Sequence, residues 1–179
     1  MSSPRRVAVL GSTGSIGRSA LEVLQAHRDR FELGCITCHQ QLELFERQCE
    51  EHRPRLAILT DSAHPEARHW TAGTDVHGVS RRCGSDSLIE AISGPEIDIV
   101  VTAIVGVAGL ESSLAAVESG KRLALANKES LVVAGELLLE SAKKSGAEII
   151  PVDSEHCAIF QALECNETGQ LDGGGMNVQ

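Results

Sequence analysis

Short apolar runs alternate along the chain with segments in which apolar residues recur at steps of three and four. The apolar runs have the length of buried strands and are Val7 to Leu10, Leu33 to Cys38, Arg55 to Leu59, Ile97 to Thr102, Arg122 to Ala126 and Glu148 to Val152. The periodic segments predict helices over Ile16 to His27, Leu42 to Glu50, Leu110 to Ser119 and Ser130 to Lys144. This alternation predicts an α/β fold whose parallel sheet is built from βαβ units.

Two segments depart from that pattern. The stretch from Asp61 to Gly84 is polar and irregular, and it predicts only one weak strand, around Val76, near a sheet edge. The stretch from Cys165 to Gln179 is rich in Asn, Thr, Gly and Gln, which predicts a tail or a truncated loop. We find no internal repeat and no apolar run long enough to span a membrane.

Composition and net charge indicate which kind of protein this is and which partners are disfavoured. The length of 179 residues, with 42% hydrophobic and 23% charged residues, is typical of one soluble globular α/β domain. A net charge of −9 disfavours nucleic acid and acidic membrane surfaces as partners, so a phosphorylated ligand needs a local site. The N-terminus enters the first strand without the pattern of a signal peptide, and we therefore expect a cytoplasmic protein.

The chain has six cysteines, which in a cytoplasmic protein are expected to be reduced thiols. One stretch, Cys35 to His39, matches the Cys-x-x-Cys-His pattern to which c-type haem is attached. Haem attachment requires an exported chain and an exposed loop, whereas Cys35 and Cys38 fall in a predicted buried strand. We therefore interpret both as buried strand residues.

A glycine-rich loop, Gly11-Ser12-Thr13-Gly14-Ser15-Ile16-Gly17, connects the first strand to the first helix. Glycines at such a junction let the backbone turn tightly and approach a pyrophosphate, and the N–H groups of the helix start favour its charge. The alternative is a purely structural turn. The order of strand, loop and amphipathic helix favours a dinucleotide site, and with it a doubly wound, Rossmann-like sheet.

The end of the second strand reads Cys38-His39-Gln40-Gln41. A carboxylate here commonly binds the ribose hydroxyls of NAD, and an Arg commonly binds the 2′-phosphate of NADP. His39, Gln40 and Gln41 can donate hydrogen bonds but bring no fixed charge. The local chemistry therefore does not choose between the two cofactors, although the missing carboxylate leans weakly against NAD.

Two further junctions follow predicted strands. Ala126-Asn127-Lys128-Glu129-Ser130 places a lysine where ligands of parallel sheets bind, or else it is a plain helix start capped by Asn127 or Ser130. Pro151-Val152-Asp153-Ser154-Glu155-His156 places two carboxylates two residues apart, so that in extended backbone both can face one Mg²⁺ or Mn²⁺ ion. The alternative for this second junction is a helix cap. Two carboxylates leave the ion's ligand set incomplete.

These motifs and their order closely resemble those of the 1-deoxy-D-xylulose 5-phosphate reductoisomerase family. Two further runs contribute to the resemblance, Ala103 to Gly106 and Ala158 to Gln161. The resemblance runs from Arg6 to about Leu163 and is strongest at Gly11 to Gly17, Leu125 to Leu131 and Pro151 to His156. Together these stretches are highly specific for the family.

The resemblance implies a homodimeric enzyme of isoprenoid synthesis that rearranges a sugar phosphate and reduces the product with NADPH. It implies Asp153 and Glu155 as ligands of Mg²⁺ or Mn²⁺, and Lys128, Ser154 and Glu155 as substrate contacts. Lys128 and His156 would serve as catalytic residues. The cofactor residues it implies, taken with the loop and strand end above, are Gly11, Thr13, Gly14, Ser15, Ile16, Gly17, His39, Gln40, Gln41, Asn127 and Glu129.

Some positions depart from the family. Members commonly have Gly and then a basic or amide residue where this chain has His39-Gln40-Gln41, and Asn where it has Cys157. Family chains continue well beyond this length with a third metal carboxylate, a phosphate pocket and a lid bearing Trp, whereas Trp70 lies in another region.

We therefore expect a dinucleotide-binding domain over 1–152 and the truncated start of a catalytic domain over 153–179. Two functions remain possible: a reductoisomerase whose remaining parts lie outside this chain, or a cofactor-binding module without turnover. In both cases we expect the chain alone to be inactive. Another dehydrogenase of the same fold would leave Asp153 to His156 unexplained.

Overall fold

The computed structural model describes residues 3–72, 78–104, 107–126 and 128–152. Within these ranges the strands are β1 (Arg5–Leu10), β2 (Phe31–Cys38), β3 (Leu56–Leu59), β4 (Ser80–Cys83), β5 (Ile99–Thr102), β6 (Arg122–Leu125) and β7 (Ile149–Pro151). The α-helices are α1 (Ser15–Ala26), α2 (Leu42–His52), α3 (Ala67–Ala72), α4 (Ser85–Ser93), α5 (Leu110–Glu118) and α6 (Lys128–Ser145). A short 3₁₀ turn, Val107–Gly109, precedes α5.

The strands form one parallel sheet in the order β4-β3-β2-β1-β5-β6-β7. The chain therefore winds outward in one direction from β1 to β4, then returns to the other side of β1 and winds outward from β5 to β7. This is a doubly wound, Rossmann-like sheet, which confirms the predicted fold class. In such a sheet a crevice opens beyond the carboxyl ends of the two strands at which the winding reverses. Here those strands are β1 and β5.

Helices cover both faces of the sheet. Alternate residues of β1 face opposite sides: Val7 and Val9 pack with residues of α1, α2 and α3, whereas Ala8 and Leu10 pack with residues of α4, α5 and α6. All four side chains are fully buried. Because both faces are covered, the central strands are continuously apolar instead of alternating with polar residues. None of the described helices is long and apolar enough to cross a membrane.

The predicted strands are all found, with ends that shift by at most two residues. Val76, around which the weak strand was expected, lies outside the described residues; among the described residues of this segment the edge strand is β4, Ser80–Cys83. Its burial alternates between exposed and half-buried, since it is an edge strand. No apolar run therefore marks β4 in the sequence. Helices α3 and α4 were also missed.

Candidate functional site

The glycine loop lies between β1 and α1, and two of its positions require glycine, one for its backbone conformation and one for a close contact. Gly11 has a φ of +76°, and a Cβ there would lie 3.0 Å from the carbonyl oxygen of Ala103 at the end of β5. A Cβ on Gly17 would lie only 2.3 Å from the carbonyl oxygen of Gly11. The first glycine thus makes the turn, and the last lets α1 pack directly on the loop.

Strand β2 anchors the start of the loop. The N–H of Gly11 donates to the Thr37 hydroxyl at 2.9 Å, and the N–H of Ser12 donates to the Thr37 carbonyl at 2.9 Å. The N–H of Gly14 donates back to the carbonyl of Gly11 at 3.1 Å, which closes the turn. Thr37 is 1% exposed, so water does not compete for these bonds. The loop geometry therefore depends on contacts between distant parts of the sequence.

The start of α1 has the features of an anion site. Its N-cap residue is Gly14, which has no side chain to accept a hydrogen bond from the helix start. The first turn of α1 contains no acidic residue. The first N–H groups of a helix have no intrahelical acceptor, and the helix dipole makes this end partially positive. Gly14 is exposed. The loop can therefore present N–H groups to a phosphate group.

A cleft of about 500 Å³ opens beside this helix start, beyond the carboxyl ends of β1, β2, β3 and β5. Its polar lining includes the residues proposed from sequence at the end of β2, namely His39, Gln40 and Gln41. The His39 Nδ1 lies 3.2 Å from the Thr60 hydroxyl. The apolar lining comprises Leu88 and Ile89 of α4 together with Ile104 after β5. A cleft lined by both polar and apolar residues suits a nucleotide, whose phosphates are charged and whose base presents flat apolar faces.

A larger open hollow of about 830 Å³ lies at the opposite edge of the sheet, at the amino ends of the strands. Ion pairs line it. The Arg6 guanidinium contacts a carboxylate oxygen of Asp98 at 2.9 Å, and the Arg122 Nε contacts a carboxylate oxygen of Glu148 at 2.6 Å. Three of its lining cations, Arg6, Arg55 and Arg122, are thus already paired with carboxylates, and ligands of parallel sheets bind at the other edge. The smaller cleft is the better candidate site.

The Cys-x-x-Cys-His stretch lies as the sequence indicated. Cys35 and Cys38 are each 1% exposed within β2, and only His39 reaches the surface. Burial raises the pKa of Cys35 to about 12, and it also raises the pKa of Cys38. Both thiols are therefore protonated and inaccessible at neutral pH, unlike the exposed cysteines that haem attachment requires.

We expect Cys35 and Cys49 to resist alkylation by iodoacetamide in the folded chain at neutral pH, because only the thiolate reacts and burial raises the pKa of each to about 12. Cys83 is partly exposed and should react sooner. Mass spectrometry of peptides after timed alkylation measures the order, and the chain in denaturant, where all cysteines react, is the control. Labelling of Cys35 as fast as that of Cys83 would contradict the burial of β2.

The remaining predicted site residues are only partly placed. Lys128 and Glu129 lie in the first turn of α6, following β6. Asn127, Asp153, Ser154, Glu155 and His156 lie outside the described residues. Within the described ranges, no three His, Cys, Asp or Glu side chains cluster closely enough to hold a metal ion. Strands β6 and β7, which precede these residues in the sequence, run parallel to β1 and β5 and therefore end on the side of the sheet where the cleft opens.

Two residues near the loop were missed by the sequence analysis. Arg18, an exposed residue of α1, donates from Nη1 to the carbonyl of Thr13 at 2.9 Å and so brings a positive charge beside the loop. Gln48, on α2, forms hydrogen bonds with Ser12. In the sequence Gln48 stands among the charged residues of α2, although it follows the buried Phe45 by three residues and directly precedes the buried Cys49.

Comparison with known proteins gives a consistent result. The model of the family described as 1-deoxy-D-xylulose 5-phosphate reductoisomerase matches residues 7–135. The chain is 46% identical over 178 residues to the 1-deoxy-D-xylulose 5-phosphate reductoisomerase of Pseudomonas paraeruginosa, covering 98% of this chain and 44% of that protein. It is 45% identical over 175 residues to the enzyme of the same name from Dechloromonas aromatica, covering 96% and 43% respectively. The chain therefore spans less than half the length of these curated relatives.

Solved structures agree. The reductoisomerase of Zymomonas mobilis in complex with NADPH has a TM-score of 0.77 and 37% identity, covering 91% of this chain and 41% of that one. A reductoisomerase in complex with NADPH, fosmidomycin and magnesium has a TM-score of 0.78 and 38% identity, covering 94% and 40%. A biliverdin reductase from Synechocystis, at 20% identity and a TM-score of 0.59, shares the fold alone.

Proposed function

The chain belongs to the 1-deoxy-D-xylulose 5-phosphate reductoisomerase family, and we propose that it supplies the NADPH site for converting 1-deoxy-D-xylulose 5-phosphate to 2-C-methyl-D-erythritol 4-phosphate. The observation that carries the proposal is the glycine loop, which is anchored to β2 and lines an open cleft with Gly11, Thr13 and Gly14 directly before the start of α1. Two solved relatives of the same fold are in complex with NADPH, which supports this choice of cofactor.

The cleft fits a dinucleotide in three respects. At Gly17 only a glycine permits the close contact between α1 and the loop, and this contact holds the helix start beside the cleft. Beside Gly14 the backbone is exposed, so that a pyrophosphate can approach it. In the same cleft, Ile104 and Leu88 supply apolar surface, against which a nucleotide ring can pack and exclude water.

We assign the residues as follows. The pyrophosphate contacts the loop and the start of α1, and the adenosine end of the cofactor contacts the end of β2 and the residues beyond it. The proposed cofactor residues are Gly11, Thr13, Gly14, Ser15, Ile16, Gly17, His39, Gln40, Gln41, Asn127 and Glu129. Lys128 and His156 are proposed as catalytic residues, with Ser154 and Glu155 beside the substrate. Asp153 and Glu155 are proposed as ligands of Mg²⁺ or Mn²⁺, since hard cations prefer carboxylate oxygens. We further propose that residues 1–152 form the dinucleotide-binding domain and that 153–179 begin the catalytic one.

When bound, NADPH supplies a hydride and the divalent ion supplies Lewis acidity. The residues of this chain position these groups: the loop fixes the pyrophosphate, and Lys128 offers a cation to the substrate. The sugar phosphate substrate and the dimeric assembly are part of the same proposal.

A second candidate is a cofactor-binding module without turnover, because the anchored loop and the cleft account for cofactor binding alone. The test is to incubate the chain with NADPH, Mn²⁺ and 1-deoxy-D-xylulose 5-phosphate and to follow NADPH oxidation. We expect binding of NADPH without turnover, because Asp153 and Glu155 supply only two carboxylates to the metal. Turnover that disappears in Asp153→Ala would show that the chain by itself is a competent enzyme, and absence of NADPH binding would refute the proposed function.

NADPH should be preferred over NADH only modestly, by about tenfold or less, because neutral His39, Gln40 and Gln41 give the 2′-phosphate hydrogen bonds without a fixed charge. Titration calorimetry with both cofactors at two salt concentrations measures the preference. A large preference that falls with added salt would show that a cation such as Arg18 reaches the 2′-phosphate, and would contradict this assignment.

A further inference from the structure

The side chain of Gln48 forms a two-bond contact with a single residue of the glycine loop. Its Oε1 accepts a hydrogen bond from the Ser12 hydroxyl at 2.7 Å, and its Nε2 donates to the Ser12 carbonyl at 2.9 Å. Gln48 is 5% exposed and Ser12 is fully buried. The orientation of the amide is fixed by chemistry, since a carbonyl oxygen can only accept and therefore must face the NH₂ group.

The contact determines which way one peptide group of the loop faces. The described chain has no cis peptide bonds, and in a trans peptide the carbonyl and the following N–H point in opposite directions. Because Gln48 binds the Ser12 carbonyl from the α2 side, the N–H of Thr13 must face the other way. Within the described residues, that N–H donates to no protein acceptor. Thr13 is among the residues that line the cleft, so this N–H is a candidate donor to a ligand bound there.

We propose that Gln48 is a positioning residue for the cofactor pyrophosphate: it holds the Ser12–Thr13 peptide with its N–H directed to the ligand and its carbonyl directed away. This inference rests on the proposed binding of NADPH. Without the Gln48 amide, the peptide can rotate and present its carbonyl oxygen to the pyrophosphate, which it repels. Strand β2 does not replace this contact, because the Thr37 carbonyl accepts from the Ser12 N–H at 2.9 Å and does not contact the Ser12 carbonyl. The Ser12 hydroxyl lies 3.2 Å from the same Thr37 oxygen, but its one proton is given to Gln48 at the shorter distance.

Helix α2 is well suited to hold the amide in place. Phe45, one turn before Gln48, is fully buried, and its ring centroid lies 5.1 Å from that of Trp70 on α3. Cys49, next to Gln48, is buried as well. The helix is therefore held in place by packing that does not involve the loop. The two hydrogen bonds of Gln48 then fix Ser12 relative to this helix.

The test compares ligands with and without a pyrophosphate. Gln48→Met keeps the side-chain volume and removes both hydrogen bonds. We expect the affinity for NADPH and for 2′-phospho-ADP-ribose to fall about tenfold, as is common when a buried hydrogen bond is lost. The affinity for adenosine 2′-phosphate, which lacks the pyrophosphate, should not change. Gln48→Asn, whose amide is one methylene too short to reach Ser12, should behave in the same way and serves if Gln48→Met does not fold.

Phe31→Leu is the control for a general loss of stability, because Phe31 is buried at the amino end of β2, at the sheet edge opposite the cleft. It should leave all three affinities unchanged. An equal loss for all three ligands in the Gln48 variants would show a merely structural role, and unchanged affinity for NADPH would also overturn the inference while leaving the proposed function intact. If the unaltered chain binds none of the three ligands, the proposed function fails and the inference fails with it.

Discussion

Gly14→Asp should weaken the binding of NADPH by about a hundredfold while the chain remains folded. The backbone of Gly14 has φ −72° and ψ 171°, which any residue adopts, and a Cβ there would lie 3.4 Å from its nearest neighbour, the Gly11 carbonyl oxygen. The substitution therefore costs little in the fold. The new carboxylate, however, would lie at the start of α1, where the pyrophosphate is proposed to bind. Two like charges about 4 Å apart repel by about 4 kcal/mol near a protein surface, and partial screening leaves the 2–3 kcal/mol that corresponds to roughly a hundredfold.

Gly14→Asn is the matched control, since it has nearly the shape of Asp without the charge, and Gly14→Ala measures the effect of the Cβ alone. Both should bind NADPH within a few-fold of the unaltered chain in titration calorimetry. Should Gly14→Asp bind as tightly as Gly14→Asn, the pyrophosphate cannot lie against the loop, and the proposed cofactor site is wrong.

Gly17→Ala is expected to lower the free energy of unfolding by about 3 kcal/mol, at the upper end of what overpacking costs. The added Cβ would lie 2.3 Å from the Gly11 carbonyl oxygen and 2.6 Å from the Ser12 Cα, and both are backbone atoms that cannot rotate away. Helix α1 must therefore move off the loop. Because this movement also displaces the helix start, NADPH affinity should fall along with stability.

Urea denaturation followed by circular dichroism measures the change in the free energy of unfolding. Gly135→Ala is the control: a Cβ at this position in α6 meets no atom within 4 Å, and replacing a helical glycine by alanine is neutral or mildly stabilising. Similar midpoints for Gly17→Ala and the unaltered chain would show that α1 does not pack against the loop as described.

The central sheet could be predicted from the sequence because strands buried on both faces consist of consecutive apolar residues. Val7 to Leu10 reads as a strand since helices cover both sides of β1. Strand β4 contains no such run of apolar residues. Arg81 within it is placed by its neighbours, with its guanidinium 4.4 Å from the centroid of the Trp70 ring, and this contact joins two segments that look irregular in sequence. Helix α4 did have a readable signal in Leu88 and Ile92, one turn apart, that the analysis missed.

The glycine loop of the site could likewise be located from sequence, because its neighbours along the chain are the strand and helix that define it. Its anchors could not. Thr37 and Gln48 contact the loop from 26 and 36 residues away, and each looks ordinary in its own segment. Gln48 in particular stands among charged residues of α2 and reads as part of a solvent-exposed face, although it is buried. Which polar residue of a helix turns inward is decided by packing between elements, and a single sequence does not record that packing.

Proline at the end of β7 has a consequence for aggregation. Within residues 3–152 as far as the structure describes them, β7 is an edge strand, and the N–H of Val152 donates inward to the carbonyl of Leu125 on β6. Since successive N–H groups of a strand point to opposite sides, an N–H at position 151 would point to the open edge, and Pro151 has none. An exposed edge with unpaired donors is a template for adding strands from other molecules, and proline is one of the residues that blocks such pairing. Pro151 thus protects this edge against strand addition at the position where the chain leaves the sheet.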